Sequence, residues 1–357
     1  MAEFLREISA TARRVVVIHD AFMSYVVQDV ATLPNAESYM FNCIPVLHSL
    51  SRELNDLESL QSFEELKSIP SSEYCLPPEF LKPSVYFSPQ SECFAIPAGT
   101  IFSSCRSIEG TFIDLLAKQM KSRNKQIWAV GPLNLDTKSG KTEPNSRHKC
   151  LEWLDKQAPK SVLYVSFGTS ISMKDEEIKE LAIGLEQSKH KFLWLVRHAD
   201  TGDIFAGDVK TAKLPEGFEE RVKQFGLVVR DWAPQVEILG HPSTGGFMNH
   251  CGWQSCLESI AMGVPIAAWP MHTDQPRNAF LVTNILKVGL AVTTSEQGEE
   301  IVTSSTIASV VKRLMESKEG EEMGKRAAAI AGAVQQAVKE GGVSRLELDS
   351  FIAHITR

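Results

Sequence analysis

The densest chemistry in this sequence lies in His250-Cys251-Gly252-Trp253-Gln254-Ser255-Cys256-Leu257-Glu258-Ser259. This stretch follows the apolar run Gly246-Phe247-Met248-Asn249 and reads as a strand that turns through a glycine into a helix. Such a junction aims unpaired backbone N–H groups and the positive end of a helix dipole at one spot, which favours a diphosphate. Ser255 adds a hydroxyl donor and His250 a further hydrogen bond. The carboxylate of Glu258 would repel a diphosphate, so a pair of ribose hydroxyls suits it better. One strand earlier, Trp232-Ala233-Pro234-Gln235 offers an indole for stacking and an amide for a pyrimidine edge. Farther on, Asp274 and Gln275 stand just ahead of the proline-initiated helix at Pro276, where they could hold the hydroxyls of a sugar. Each residue also has a plainer reading: a Trp at a strand end is commonly core, and a His before a helix commonly a cap. It is their grouping within one block that points to a base, a ribose, a diphosphate and a sugar.

The elements that would position these groups alternate. Val162 to Ser166, Phe192 to Val196, Leu227 to Arg230, Gly246 to Asn249 and Pro265 to Ala268 read as strands. Asp175 to Gln187, Leu257 to Met262 and Arg277 to Leu286 read as helices. This alternation predicts a parallel sheet with crossover helices, whose ligands bind at the carboxyl ends of the strands. Thr306 to Met315 and Glu321 to Val338 are further helices with one solvated, mixed-charge face. In the first part of the chain, Phe4 to Ala12 reads as a short helix and Val15 to Ile18 as a buried strand ending at His19-Asp20. A helical pattern from Ser24 to Leu33, a break at Asn35 and an apolar stretch from Ser38 to Leu47 continue the alternation. Pro70 to Pro97 is rich in Pro and Ser and reads as loop. Gly131 to Lys149 has the composition of an exposed linker. The resulting division is a partial N-terminal domain over 1–130, a linker over 131–149, a ligand-binding domain over 150–338 and a tail helix over 339–357.

With 357 residues, 43% hydrophobic and 23% charged, the chain has the length of two α/β domains and the composition of a globular protein. A net charge of −7 has the wrong sign for covering nucleic-acid phosphates, and no apolar run is long enough for a membrane span. The seven cysteines are scattered and form no C-x-x-C pair, which predicts neither a disulfide framework nor a zinc cluster and suits a reducing cytoplasm. The start of the chain carries acids and no apolar core, so it is not read as a secretory signal. Ser139-Gly140-Lys141-Thr142 mimics the tail of a phosphate loop, but Leu135 stands where that motif needs glycine. No G-x-G-x-x-G occurs, which argues against a nicotinamide oxidoreductase. No D-x-D pair occurs, so a metal held by paired aspartates is not supported.

The whole block from Trp232 to Gln275 resembles the signature of the plant family 1 UDP-sugar glycosyltransferases. That signature opens W-A-P-Q, holds H-C-G-W-N-S near its middle and closes D-Q. The resemblance extends upstream to Leu163-Tyr164-Val165-Ser166-Phe167-Gly168-Thr169, to Phe192-Leu193-Trp194 and to Leu214-Pro215-Glu216-Gly217-Phe218. It implies the GT-B fold, an α/β architecture of two Rossmann-like domains with parallel sheets, the N-terminal one incomplete in this chain. Trp232 would then stack uracil, with Gln235 and the Ala233 backbone bonding its edge. Glu258 would hold ribose; His250, Ser255, Gly168, Thr169 and the Gly252 turn would hold the phosphates; Trp253, Asp274 and Gln275 would hold the sugar. The resemblance requires no metal or cofactor, only UDP-glucose as co-substrate, and the closing glutamine leans toward glucose, with xylose left open. Gln254 replaces the usual asparagine beside the α-phosphate.

Val15 to Phe22 is similar to the family segment whose aspartate orients the catalytic histidine, and Asp20 is the matching position, although an N-capping role for it stays open. The family's base histidine lies upstream of anything in this sequence. His19 is a poor substitute, because adjacent side chains at a strand end face opposite ways. Within the family, Val15 to Ala31 and Ala267 to Asn278 are most similar to enzymes that glucosylate a cytokinin hydroxyl, those acting on cis-zeatin in particular. The expectation is an inverting, UDP-glucose-dependent O-glucosyltransferase, monomeric, acting on a small hydroxylated acceptor. The rivals are a UDP-sugar binder without the base and an interaction protein that inherited the scaffold.

Overall fold

The computed structural model describes residues 2–53, 97–133, 147–168, 173–196, 213–293 and 301–357. The proline-rich stretch and most of the expected linker lie outside them. Among the described residues, 2–53, 97–133 and 333–357 form one compact unit, and the remainder form a second.

In the first unit, α1 (Ala2–Thr11) leads into β1 (Val15–Asp20), whose β-branched run pairs in parallel with β2 (Ala36–Asn42), Val15 opposite Ala36 and Asp20 opposite Phe41. The segment between them winds as a 3-10 helix, Ala21–Thr32, and not as an α-helix. Its Val26, Val27, Val30 and Thr32 are stiff at χ1 and weaken an α-helix. The apolar stretch from Ser38 to Leu47 splits between the end of β2 and the start of α2 (Val46–Glu53), with Pro45 preceding the first helical position. Then come β3 (Gly99–Phe102), α3 (Arg106–Ser122) and β4 (Gln126–Ala129), giving a parallel sheet in the order β1-β2-β3-β4. Gly99 sits where the strands crowd: a Cβ there would lie 2.7 Å from both the Gln126 carbonyl oxygen and the Trp128 ring.

One carboxylate organises this unit. Glu109 is 1% exposed, accepts hydrogen bonds from the Val46 and Leu47 backbone N–H groups at 3.0 and 2.8 Å, and accepts a third from the Ser104 hydroxyl at 2.6 Å. It thereby caps α2 from a distant helix, and its own backbone leaves helical geometry to do so, at φ −127°. Burial pushes its carboxyl above the usual carboxylate range, and the three donors pull the other way.

The second unit holds α4 (Lys149–Leu154), β5 (Val162–Ser166), α5 (Asp175–Ser188), β6 (Lys191–Leu195), α6 (Phe218–Val222), β7 (Gly226–Val229), α7 (Gln235–Leu239), β8 (Thr244–Asn249), α8 (Trp253–Ala261), β9 (Ile266–Ala268), α9 (Gln275–Phe280), β10 (Gly289–Ala291) and α10 (Ser304–Glu316). The expected helix from Arg277 to Leu286 is thus α9 running on into a π turn, Leu281–Ile285. The six strands are parallel in the order β10-β9-β8-β5-β6-β7. All of β5 is buried, as a strand covered on both faces must be. The chain leaves β5 toward β6 and β7, then returns to place β8 on the other flank of β5. The order therefore reverses between β5 and β8, and the carboxyl ends of those two strands bound a crevice suited to a ligand. Gly168 follows β5 and His250 follows β8 at that point.

Helix α11 (Lys318–Ala337) precedes α12 (Val343–Ile355), the expected tail helix, which packs into the first unit. Its Phe351 meets Tyr39 and Trp128 edge-on, with ring centres 5.3 and 5.0 Å apart, and the Ser344 hydroxyl donates to the Gly131 carbonyl at 2.7 Å. Among the described residues, no helix is long and apolar enough to cross a membrane.

Candidate functional site

The turn from β8 into α8 is built by its own polar groups. Asn249, fully buried, accepts the Cys251 N–H at 2.6 Å, which steadies Cys251 in the left-handed region at φ +60°. Gly252 then caps α8, and no side chain covers the cap. The His250 ring lies against two glycines. A Cβ on Gly168 would approach its Cε1 at 2.8 Å, and one on Gly252 its Nε2 at 2.5 Å. Gly168 also holds φ +82°, which a larger residue adopts only under strain.

Burial, assisted by the nearby His272, pushes the His250 imidazole down to about 4, so it is neutral near pH 7. Its Nδ1 is buried with no hydrogen-bond partner among the described residues, which fits a neutral ring better than an imidazolium. Because the unfolded chain takes up this proton near pH 6.5 and the folded chain only near 4, stability should fall as pH drops through that window. Urea unfolding of the wild type at pH 7 and pH 5 is expected to differ by about 2 kcal/mol from this group alone, and His250→Gln should lose that share of the slope. An unchanged slope in the variant would assign the acid sensitivity elsewhere.

Next to this turn, α7 and α8 together hold one carboxylate. Glu258 accepts from the Gln235 amide at 2.8 Å on Oε2 and from the Gln254 amide at 3.2 Å on Oε1. Gln235 also donates to the Ser255 hydroxyl at 3.2 Å, while its carbonyl accepts from the Tyr164 hydroxyl at 3.3 Å. The sequence suggested Gln235 as a contact to the edge of a base. In the structure its amide donates to Ser255 and Glu258, because α7 starts against the first turns of α8. Trp232 remains 64% exposed and available as a platform, with Ala233 buried beside it in the chain. Sequence reasoning missed His148, which stands edge-on to Trp232 with ring centres 5.9 Å apart. Its Nδ1 accepts from the Cys150 N–H and its Nε2 is 3.1 Å from the Trp232 carbonyl, so Nε2 carries the proton and donates.

The expected sugar-binding residues lie on a second loop that is tied to the first. Gln275, 5% exposed, accepts the Met271 and His272 N–H groups at 2.9 and 3.0 Å. Asp274 accepts from Asn278 at 2.6 Å and from the Thr273 hydroxyl at 3.0 Å. Asn278, fully buried and also unforeseen, donates to the Cys251 carbonyl at 2.8 Å, so one amide joins the loop after β9 to the turn after β8. The only cue in the sequence was its place four residues after Asp274 at the start of a helix. Trp253 is buried at 3% exposure and therefore offers a ligand little of its indole. Thr169 lies outside the described residues.

In the first unit, Asp20 ends β1 half-buried, and its charge helps burial to raise the Cys43 thiol above its ordinary range. His19 is buried, and its Nδ1 bonds the Asp20 carbonyl oxygen at 2.9 Å, not the Asp20 carboxylate. The two therefore form no imidazole–carboxylate pair.

An uncapped helix start and a neutral imidazole stand at the reversal of a parallel sheet, beside a carboxylate held by two amides, and an exposed indole precedes α7, whose Gln235 meets that carboxylate. That geometry can receive a nucleoside diphosphate sugar. Residues 1–135 match the glycosyltransferase N-terminal domain, and residues 85–326 match the family described as UDP-glucoronosyl and UDP-glucosyl transferase. A zeatin O-glucosyltransferase of Phaseolus lunatus is 48% identical over 100% of this chain and 77% of its own length. A zeatin O-xylosyltransferase of Phaseolus vulgaris is also 48% identical, over 100% of this chain and 78% of its own. Among solved structures, Phytolacca americana UGT2 complexed with UDP-2fluoro-glucose and pterostilbene superposes with a TM-score of 0.79 at 29% identity, covering 99% of this chain and 78% of that one. The chain belongs to the plant family 1 UDP-glycosyltransferases: it is a glycosyltransferase, and its two parallel-sheet units are those of the GT-B fold.

Proposed function

We propose that this chain transfers glucose from UDP-glucose to a hydroxyl of a small acceptor, a cytokinin such as cis-zeatin, with inversion at the anomeric carbon. The observation that carries the donor half is the Glu258 carboxylate, gripped by Gln235 and Gln254 beside Ser255 at the start of α8. In this reading Trp232 stacks the uracil, Gln235 and the Ala233 backbone meet its edge, and Glu258 takes the ribose. His250, Ser255, Gly168, Thr169 and the N–H groups after Gly252 take the diphosphate. Asp274, Gln275 and the start of α8 at Trp253 take the sugar. The acceptor oxygen bonds to the anomeric carbon as the carbon–phosphate oxygen bond breaks, and the hydroxyl proton passes to a water that Asp20 orients. The negative charge gathering on departing UDP meets the helix N-terminus, with no metal or cofactor in the scheme. A monomer in the cytoplasm, with no nucleic-acid or membrane partner, completes the reading.

The cytokinin acceptor is supported by the two Phaseolus relatives at equal identity, one named for glucosyl and the other for xylosyl transfer. The assay is therefore a matrix of UDP-glucose and UDP-xylose against cis- and trans-zeatin, with products read by mass. The expected product is a glucoside, formed best from cis-zeatin. A xyloside in excess would overturn the donor, and UDP binding without any product would favour the non-catalytic binder. Trp232→Ala is expected to weaken UDP about thirtyfold, the worth of one stacked base at roughly 2 kcal/mol, with the melting temperature unchanged because the indole is exposed. Equal UDP affinity in the variant would remove the base from this platform.

A further inference from the structure

Glu258 lies where a free carboxylate on a helix surface would sample several rotamers, yet both of its oxygens are occupied. Gln235 reaches Oε2 from α7 at 2.8 Å, and Gln254 reaches Oε1 from one turn earlier on α8 at 3.2 Å. An ionised carboxylate offers about four lone-pair positions, so two amide N–H donors leave two free. Two is the number that a vicinal diol requires, one for each hydroxyl it donates. A neutral amide pair holds the carboxylate plane without neutralising its charge, so the remaining positions keep their accepting strength. The spacing fixes who can do this: residues four apart on a helix face each other, and at position 254 the bond needs the reach of glutamine. Asparagine, one methylene shorter, would stop short of Oε1 from the same backbone.

Gln254 was set against the α-phosphate by its place in the sequence motif. We propose instead that Gln254 is a positioning residue, which locks the Glu258 carboxylate in the plane that reads the two ribose hydroxyls and so selects ribose over deoxyribose donors. This rests on the UDP-sugar reading above. An ordinary helix-surface glutamine–glutamate pair would contribute only a few tenths of a kcal/mol to folding and nothing to ligand choice.

The test compares UDP with 2′-deoxy-UDP by calorimetry on the wild type and on Gln254→Asn, and follows the melting temperature of both free proteins. The wild type is expected to prefer UDP about tenfold. In the variant UDP should weaken about fivefold while 2′-deoxy-UDP hardly changes, so that the preference shrinks to about twofold, with the free protein melting as before. An equal loss for both ligands would put Gln254 on the phosphate and overturn the proposal, as would no loss at all. If the wild type binds neither nucleotide, it is the UDP-sugar assignment itself that fails, an outcome separate from a wild type that binds UDP and a variant that matches it.

Discussion

Glu258→Ala is expected to lower UDP affinity about a thousandfold. A carboxylate accepting from two hydroxyls contributes two charge-assisted hydrogen bonds, each about 1.5–3 kcal/mol, and their joint loss of roughly 4 kcal/mol corresponds to that factor. The substitution also frees the amides of Gln235 and Gln254, but Gln254 is exposed and Gln235 only half-buried, so water can replace the lost acceptor. The free protein should therefore melt within a few degrees of the wild type. Glu258→Gln separates charge from shape: it keeps one accepting oxygen and should fall between the two. Titration of each protein with UDP reads the result, with thermal melting alongside. A collapse of the melting temperature without ligand would make Glu258 a structural residue, and undiminished UDP affinity would move the ribose elsewhere.

The second large effect belongs to the fold. Glu109→Ala should destabilise the protein by about 4 kcal/mol in urea unfolding at pH 7. Truncation strands the Val46 and Leu47 N–H groups and the Ser104 hydroxyl in a site with no room for bulk water, each at a cost of about 1–3 kcal/mol, and leaves a cavity besides. Glu109→Gln, which can still accept with one oxygen, should cost about half as much. If the alanine variant is as stable as the wild type, α2 does not depend on this cap.

What the sequence disclosed and what it withheld divide along physical lines. The runs Val15 to Ile18 and Val162 to Ser166 both announced strands, but only the second is covered on both faces, as its apolar run implied; β1 is an edge strand whose Ile18 is exposed, so its expected burial was not met. The four-residue strands at Gly99–Phe102 and Gln126–Ala129 carried no such run, and α3 between them breaks its helical pattern at Glu109. None of the three was foreseen. In the site, residue types at strand ends were legible, since parallel sheets place their ligands there. Partnerships were not: Gln235 and Glu258 are 23 residues apart and meet only through the packing of α7 against α8. His148 fell in a stretch whose composition suggested only a linker, and its meeting with Trp232 depends on a fold that local pattern does not encode.

The Asn278 amide has a bearing on how donor choice could ever change in this scaffold. It ties the loop carrying Asp274 and Gln275 to the Cys251 turn. If that loop holds the hexose and that turn the pyrophosphate, as proposed, a substitution that reshapes one should disturb the other, and swapping one monosaccharide for another is coupled to the grip on every nucleotide carrier. Variants selected for a new sugar should bring compensating changes in the cradle, and not at the pocket alone.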